Sequence, residues 1–186
     1  MAFTLFNIRF RIEFSFLLII FLSLLVGNNS LLWLVVFSSL HEIGHILAIM
    51  IFGGKIELIT VSYYGIGMKQ SAQLCPLQEL IFLLCGVAVN LLFVLFNVQR
   101  EINFALALVN VLPVYPLDCG RSLNVLACLV FNCDVAYKIT VAVSAITTAV
   151  LLAAALILRN ISLIMIVIYI VFYFINFRGL YDKKRS

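Results

Sequence analysis

Apolar residues in this chain gather in long unbroken runs, not in the short alternations of half-buried elements. The runs cover about 12–26, 31–52, 80–98, 102–117, 139–158 and 161–177, separated by short polar breaks. A helix crosses a bilayer in about 20 residues, so the runs at 12–26 and 102–117 are short and require tilt, borrowed flanks or a thinned bilayer. With the N-terminus in the cytoplasm and the sides alternating, Arg9, Arg11, Lys55, Lys69, Arg121, Lys138, Arg178, Lys183, Lys184 and Arg185 fall inside. Only Arg100 and Arg159 fall outside, a strong positive-inside bias. Both termini are then cytoplasmic, which requires an even number of spans. The expected fold class is an all-α polytopic membrane protein of about six transmembrane helices, placed as a multi-pass protein of the cell membrane.

One stretch departs from the helical pattern. Gly53-Gly54 should stop a helix, and residues 56–64 read Ile-Glu-Leu-Ile-Thr-Val-Ser-Tyr-Tyr, closed by Gly65 and Gly67. This β-branched and aromatic run predicts a short strand or hairpin at about 56–67. Lipid cannot satisfy an open strand edge, so the element belongs at the membrane interface or against a protein cavity.

Composition narrows the class. Of 186 residues, 65% are hydrophobic and 11% charged, with mean hydropathy +1.21. A soluble domain carries about 25% charged residues, so a water-soluble globule, a disordered chain and a fibrous repeat are excluded. The length leaves no room for a separate soluble domain, and residues 1–186 are expected to form one membrane-embedded unit. The net charge of +4 is scattered apart from the tail Lys183-Lys184-Arg185. That tail is a topology signal with weak attraction to anionic lipid, so the bilayer is the expected partner and nucleic acid is not. The five cysteines form no CxxC pair and read as reduced packing residues. Residues Gly27-Asn28-Asn29-Ser30 lack a signal-peptide cleavage pattern.

The chain has two histidines, His41 and His45, and eight acids. Most acids lie at segment ends or in loops, but Glu42 lies near the middle of the run 31–52. His41 is about ten residues into that segment, or roughly 15 Å at about 1.5 Å per residue. An acid at such depth costs at least about 2.5 kcal/mol, which is tolerated where the group faces a wet cavity or a metal. The spacing favours the metal. His41-Glu42-Ile43-Gly44-His45 is an HExxH sequence, and on a helix the two imidazoles share one face and can converge on one cation. Glu42 is rotated by about 100° from His41, beside the site and not among its ligands, where it can accept a proton. Gly44 leaves one face bare for a neighbouring helix or a substrate.

Catalytic zinc uses three protein ligands and one open position. Asp118 is the outstanding candidate for the third, in Asn110-Val111-Leu112-Pro113-Val114-Tyr115-Pro116-Leu117-Asp118-Cys119-Gly120-Arg121. Pro113 and Pro116 break a helix there, as expected for backbone lining a cavity within the membrane. An interfacial helix cap or a partner for Arg121 are the other readings of Asp118, and position alone leaves them open.

An early HExxH followed by Asn-x-x-Pro-x-x-Pro-x-Asp-x-Gly resembles the site-2 protease family of intramembrane zinc metalloproteases. The short loop between motifs and the six spans most resemble the branch that includes the bacterial sporulation-factor protease. The resemblance covers nearly the whole chain. It implies one membrane-embedded protease domain at 1–186 with a catalytic core at about 31–121. It further implies one zinc ion per chain held by His41, His45 and Asp118, with Glu42 as the catalytic glutamate. Asn110 matches the motif asparagine, and Gly86-Val87-Ala88-Val89-Asn90 matches a Gly-Pro-x-x-Asn element of the third span, so Asn110 and Asn90 are candidate substrate contacts. Val87 stands where proline is usual and Cys119 where glycine is usual. With about 25 residues between spans two and three, a PDZ insertion is not expected. Neither is a C-terminal soluble domain, since Ser186 follows the last run closely.

The implied function is hydrolysis of a peptide bond in or near a transmembrane segment of a membrane-protein substrate, as in regulated intramembrane proteolysis, with room for a regulatory membrane partner. The 56–64 strand either offers a pairing edge to an unwound substrate or folds as a hairpin over the cavity mouth. A metal-binding membrane transporter or sensor without peptidase activity is the alternative. It has no need of a glutamate next to the first histidine, and it needs polar residues along a continuous path, whereas ionisable groups here concentrate in two places. A catalytically silent scaffold is the third reading.

Overall fold

The computed structural model describes residues 2–5, 8–14, 21, 29–54, 56–62, 65–70, 74–115, 117–159, 164, 167–168 and 170–172. Its elements are β1 (Ala2–Leu5), β2 (Ile8–Ile12), α1 (Asn29–Ile51), β3 (Ile56–Ser62), β4 (Gly65–Gln70), α2 (Pro76–Leu95), α3 (Arg100–Val111), α4 (Asp118–Val130) and α5 (Cys133–Ile157). They fall into two compact units, Met1–Leu108 and Val109–Ser186.

In the first unit, α1 and α2 pack side by side. Phe37 meets Phe93 edge-on with ring centroids 5.1 Å apart, His41 meets Asn90 and His45 meets Phe82. Positions rising along α1 therefore meet positions falling along α2, so the two helices are antiparallel. Small residues set their separation. A Cβ on Gly44 would stand 2.8 Å from Val89 Cγ2 and 3.0 Å from the Cys85 carbonyl oxygen. Between apolar helices in lipid, such close backbone approach replaces the hydrophobic effect as the source of association. The bare face of Gly44 is thus taken by a neighbouring helix.

The ends of these helices follow from local chemistry. α1 stops where Gly53 adopts φ +73°, with Gly53 N–H donating to Met50 O and Gly54 N–H to Ile49 O at 3.1 and 2.9 Å. This is a Schellman closure, which favours glycine at its left-handed residue. α2 opens on Cys75 with Pro76 at its first position. The Cys75 N–H donates to Gln78 Oε1 at 3.0 Å, satisfying one of the donors left over at a helix start.

The predicted strand is one member of a larger sheet. Four strands lie in the order β1-β2-β3-β4, with β2 and β3 parallel and the outer pairs antiparallel. The expected hairpin at 56–67 is present as β3 and β4 and extends to Gln70. Strands β1 and β2 were not anticipated. Ile8, Phe10 and Ile12 alternate with Arg9 and Arg11, a period-two pattern obscured by reading the arginines only as flanks of an apolar run. The run at 12–26 accordingly begins inside β2. Both edges of β3 are occupied, so β3 itself has no free edge to pair with a substrate. β4 is an outer strand of the described sheet and lies against α1.

In the second unit α4 packs on α5. The run at 102–117 is not one continuous helix: α3 ends at Val111 after 12 residues, short of the about 20 that a straight span needs. The 112–115 backbone that follows is non-helical, as Pro113 predicts. Val114 N–H donates to Leu112 O at 2.7 Å and Leu117 N–H to Val114 O at 2.8 Å. Tyr115 N–H donates to Ser144 Oγ at 2.8 Å, tying this broken backbone to α5. Helix α4 was not foreseen, and α5 starts six residues before the predicted 139, at Cys133, where Asn132 Oδ1 accepts from Val135 N–H at 2.8 Å.

Among the described residues, α1, α2 and α5 are long and apolar enough to cross a membrane. Large apolar side chains cover their outer faces, including Leu47 and Ile51 on α1, Leu84 and Leu95 on α2, and Ile146 and Leu156 on α5. This is the surface of a membrane protein. Most of the expected spans 12–26 and 161–177 lies outside the described residues.

Candidate metal centre

Helical spacing places His41 and His45 on the face of α1 that meets α2, and both imidazoles are 4% exposed. Their Nε2 atoms lie 3.2 Å apart. Two nitrogens about 2.0–2.1 Å from one zinc at a tetrahedral angle stand roughly 3.3–3.4 Å apart, so the pair is already spaced for one ion.

Helix α2 supplies the supports at every fourth residue: Phe82, Gly86 and Asn90. His45 Nδ1–H donates to the Phe82 carbonyl oxygen at 2.7 Å. A carbonyl only accepts, so this bond puts the His45 proton on Nδ1 and turns an Nε2 lone pair toward the site. A Cβ on Gly86 would lie 2.5 Å from His45 Nε2 and 2.6 Å from His41 Nε2. Glycine therefore keeps open the space that both nitrogens face. Asn90, fully buried, donates from Nδ2 to His41 Nδ1 at 3.0 Å.

Glu42 is half-buried beside the pair. Ligand atoms of His41, Glu42 and His45 all fall within 4.8 Å of one another. Two imidazoles with a carboxylate alongside form a donor set that suits zinc, and the spacing, the His45 bond and the Gly86 gap fit that ion.

Asp118 belongs to the second unit. It is the first residue of α4 and buried, and its backbone oxygen accepts from Ser122 Oγ at 2.9 Å. A carboxylate in the first turn is favoured by the helix dipole. Gly120 is needed beside it, because a Cβ there would collide with the Val114 carbonyl. Burial, and then the Asp118 charge, push the Cys119 thiol above its ordinary pKa. Asn110 sits half-buried in the last turn of α3.

The structure thus brings together His41, Glu42, His45 and Asn90, while Asn110 and Asp118 lie in the other unit. The sequence reading missed two contributors, the Phe82 carbonyl and the physical role of Gly86. The spacing 82, 86, 90 matches the spacing 41, 45 on the facing helix and was the available signal.

A buried HExxH pair on one apolar helix is clasped by a second helix, an arrangement that suits a metal site within a membrane protein. No family model matches the chain. A zinc metalloprotease of Methanocaldococcus jannaschii is 23% identical over 188 aligned residues, which cover 89% of this chain and 56% of that protein. The chain therefore spans about half the length of the curated relative it matches. The solved site-2 protease from Methanocaldococcus jannaschii has the same fold, with a TM-score of 0.67 at 23% identity over 92% of each chain. Together these likenesses support the site-2 protease family.

Proposed function

We propose that this chain is an intramembrane zinc metalloprotease that hydrolyses a peptide bond in or near a transmembrane segment of a membrane-protein substrate. The observation that carries this reading is the buried HExxH pair, with its Nε2 atoms 3.2 Å apart and a glutamate beside them. His41, His45 and Asp118 are the residues that would hold the zinc ion. When bound, zinc supplies Lewis acidity toward a water and the scissile carbonyl. Glu42 accepts the proton of the attacking water on its carboxylate and delivers it to the leaving amide nitrogen. Apolar walls from α1 and α2 exclude bulk water and strengthen each of these polar contacts.

A helical substrate hides its carbonyls in hydrogen bonds and must be extended before attack. The outer edge of β4, lying against α1, is the edge we assign to pairing with that extended segment. Asn110 contacts the substrate backbone, whereas Asn90 is turned to His41. The domain is the whole membrane-embedded chain, with six spans and both termini in the cytoplasm, of the branch that includes the sporulation-factor protease; a regulatory membrane partner would act on this same domain.

The test is Glu42→Gln in purified chain reconstituted with zinc and single-span substrates. Cleavage should disappear while zinc content is unchanged. Continued cleavage by this variant would exclude the mechanism, and a metal transporter would show neither cleavage nor dependence on Glu42.

A further inference from the structure

The bend that precedes α4 is pinned from two sides. On one, Gly120 lies so near the Val114 carbonyl that a Cβ there would collide with it. On the other stands Ser144, on α5 and 1% exposed. Its hydroxyl has one proton and two lone pairs. Thr140 O accepts that proton at 2.7 Å, the Pro113 carbonyl being farther off at 3.5 Å. The proton thus points back along α5, and a lone pair is left to accept the Tyr115 N–H at 2.8 Å. Two turns earlier on the same face of α5, the Tyr137 ring meets the Tyr115 ring edge-on with centroids 6.2 Å apart. From the bend the bonds run on into α4: Leu117 N–H donates to Val114 O at 2.8 Å, and Arg121 N–H to Leu117 O at 2.9 Å. Asp118, the first residue of α4, therefore takes its place from backbone that α5 holds.

Resting on the reading of Asp118 as the third ligand, we infer that Ser144 is a positioning residue that sets where the Asp118 carboxylate stands. It acts through the backbone of Tyr115, three residues before that carboxylate. A backbone N–H in an apolar, non-helical setting must find a partner, and the chain rearranges until one is met. Without the hydroxyl, residues 113–117 have that reason to shift, and Asp118 shifts with them. Misplacing a reacting group by about 1 Å costs roughly 100-fold in rate, and losing the bonds that orient metal ligands costs roughly 10- to 100-fold in affinity. The other hydroxyls on this face of α5 serve a different end. Thr140 Oγ1 donates to Ala136 O at 2.9 Å and Thr148 Oγ1 to Ser144 O at 2.8 Å. The Thr148 bond stays within α5, so a variant there separates an effect on the helix from an effect on the bend.

The experiment uses the full chain in detergent micelles with Co²⁺ in place of Zn²⁺, because the visible absorption of Co²⁺ reports the number and arrangement of its ligands. Each variant is read at saturating Co²⁺, with helical content followed by circular dichroism. Asp118→Ala should change the band of the unaltered chain. Ser144→Ala should change it in the same direction and weaken Co²⁺ affinity by about tenfold or more. Ser144→Thr should restore both, and Thr148→Ala should alter neither. A serine that only stabilises the fold would lower the denaturation midpoint and leave the saturated band as it was. That outcome overturns the proposal, as does a Thr148→Ala band altered as much as that of Ser144→Ala, or a failure of Ser144→Thr to restore it. Should Ser144→Ala not fold, Ser144→Cys, of similar size with a poorly accepting sulfur, decides by the same band. No Co²⁺ band in the unaltered chain, or an unchanged band in Asp118→Ala, overturns the ligand reading and this proposal with it. A changed band in Asp118→Ala beside an unchanged one in Ser144→Ala overturns this proposal alone.

Discussion

At the scale of single residues, the space around the imidazole pair is controlled by an absence, the missing side chain of Gly86. Any Cβ there would stand 2.5–2.6 Å from both Nε2 atoms, so the rings would have to part or the helices separate. Gly86→Ala should weaken Zn²⁺ affinity by at least about tenfold, comparable to loss of a ligand's support, as measured by chelator competition in detergent. Asp118 is a separate case. If it completes the ligand set, Asp118→Ala should strip zinc from the purified chain while leaving helical content unchanged by circular dichroism. A variant that kept stoichiometric zinc would return Asp118 to the role of a helix-start acid stabilised by the dipole.

At the scale of elements, two devices hold the chemistry in place. The first is the small-residue seam between α1 and α2, where Gly44 brings the helices close enough for Phe82 and Asn90 to reach the rings. Gly44→Val would wedge a branched side chain against the Cys85 carbonyl, so disulfide crosslinking between engineered cysteines at Phe37 and Phe93 should fall, as should zinc retention. The second device is the bond from Tyr115 N–H to Ser144 Oγ, within a ladder on α5 where Ser144 Oγ also donates to Thr140 O at 2.7 Å. Non-helical backbone within an apolar unit needs partners from side chains. Ser144→Ala removes that acceptor and should destabilise the protein by about 1–3 kcal/mol, read from detergent denaturation. Ser144→Thr keeps the hydroxyl and should restore most of the loss.

At the scale of the whole molecule, the proposed topology is tested by the side on which single residues lie. Cys75 and Cys133 are exposed, and in the six-span arrangement both face the cytoplasm. Single-cysteine chains at these positions should react with a membrane-impermeant maleimide only after the inner face is opened. Labelling of either from the outside would refute the proposed cytoplasmic placement of its loop. The antiparallel packing of α1 and α2 also requires the connection 52–75, which carries β3 and β4, to lie at one end of both helices. The sheet and the Schellman closure at Gly53 are thus on the same side as Cys75, and a substrate segment pairing on β4 would approach from that side.

Much of this was legible before any coordinates. Long apolar runs can be stable only in lipid, and histidines at i and i+4 must share a helix face, so the membrane class and the HExxH pair follow from local rules alone. The Gly53-Gly54 stop and the break at Pro113 are equally local, because a left-handed residue and a missing N–H act on their own turn of chain. Tertiary structure decided what depends on distant partners. Strands β1 and β2 form because a strand is stable only beside another, and β2 pairs with β3 from more than forty residues away. The acceptor that sets the His45 tautomer is a backbone carbonyl, which every residue carries and no sequence pattern distinguishes. Its selection came from the packing of α2 against α1, as did the nearness of Asn90 to His41 and the need for an empty position at 86.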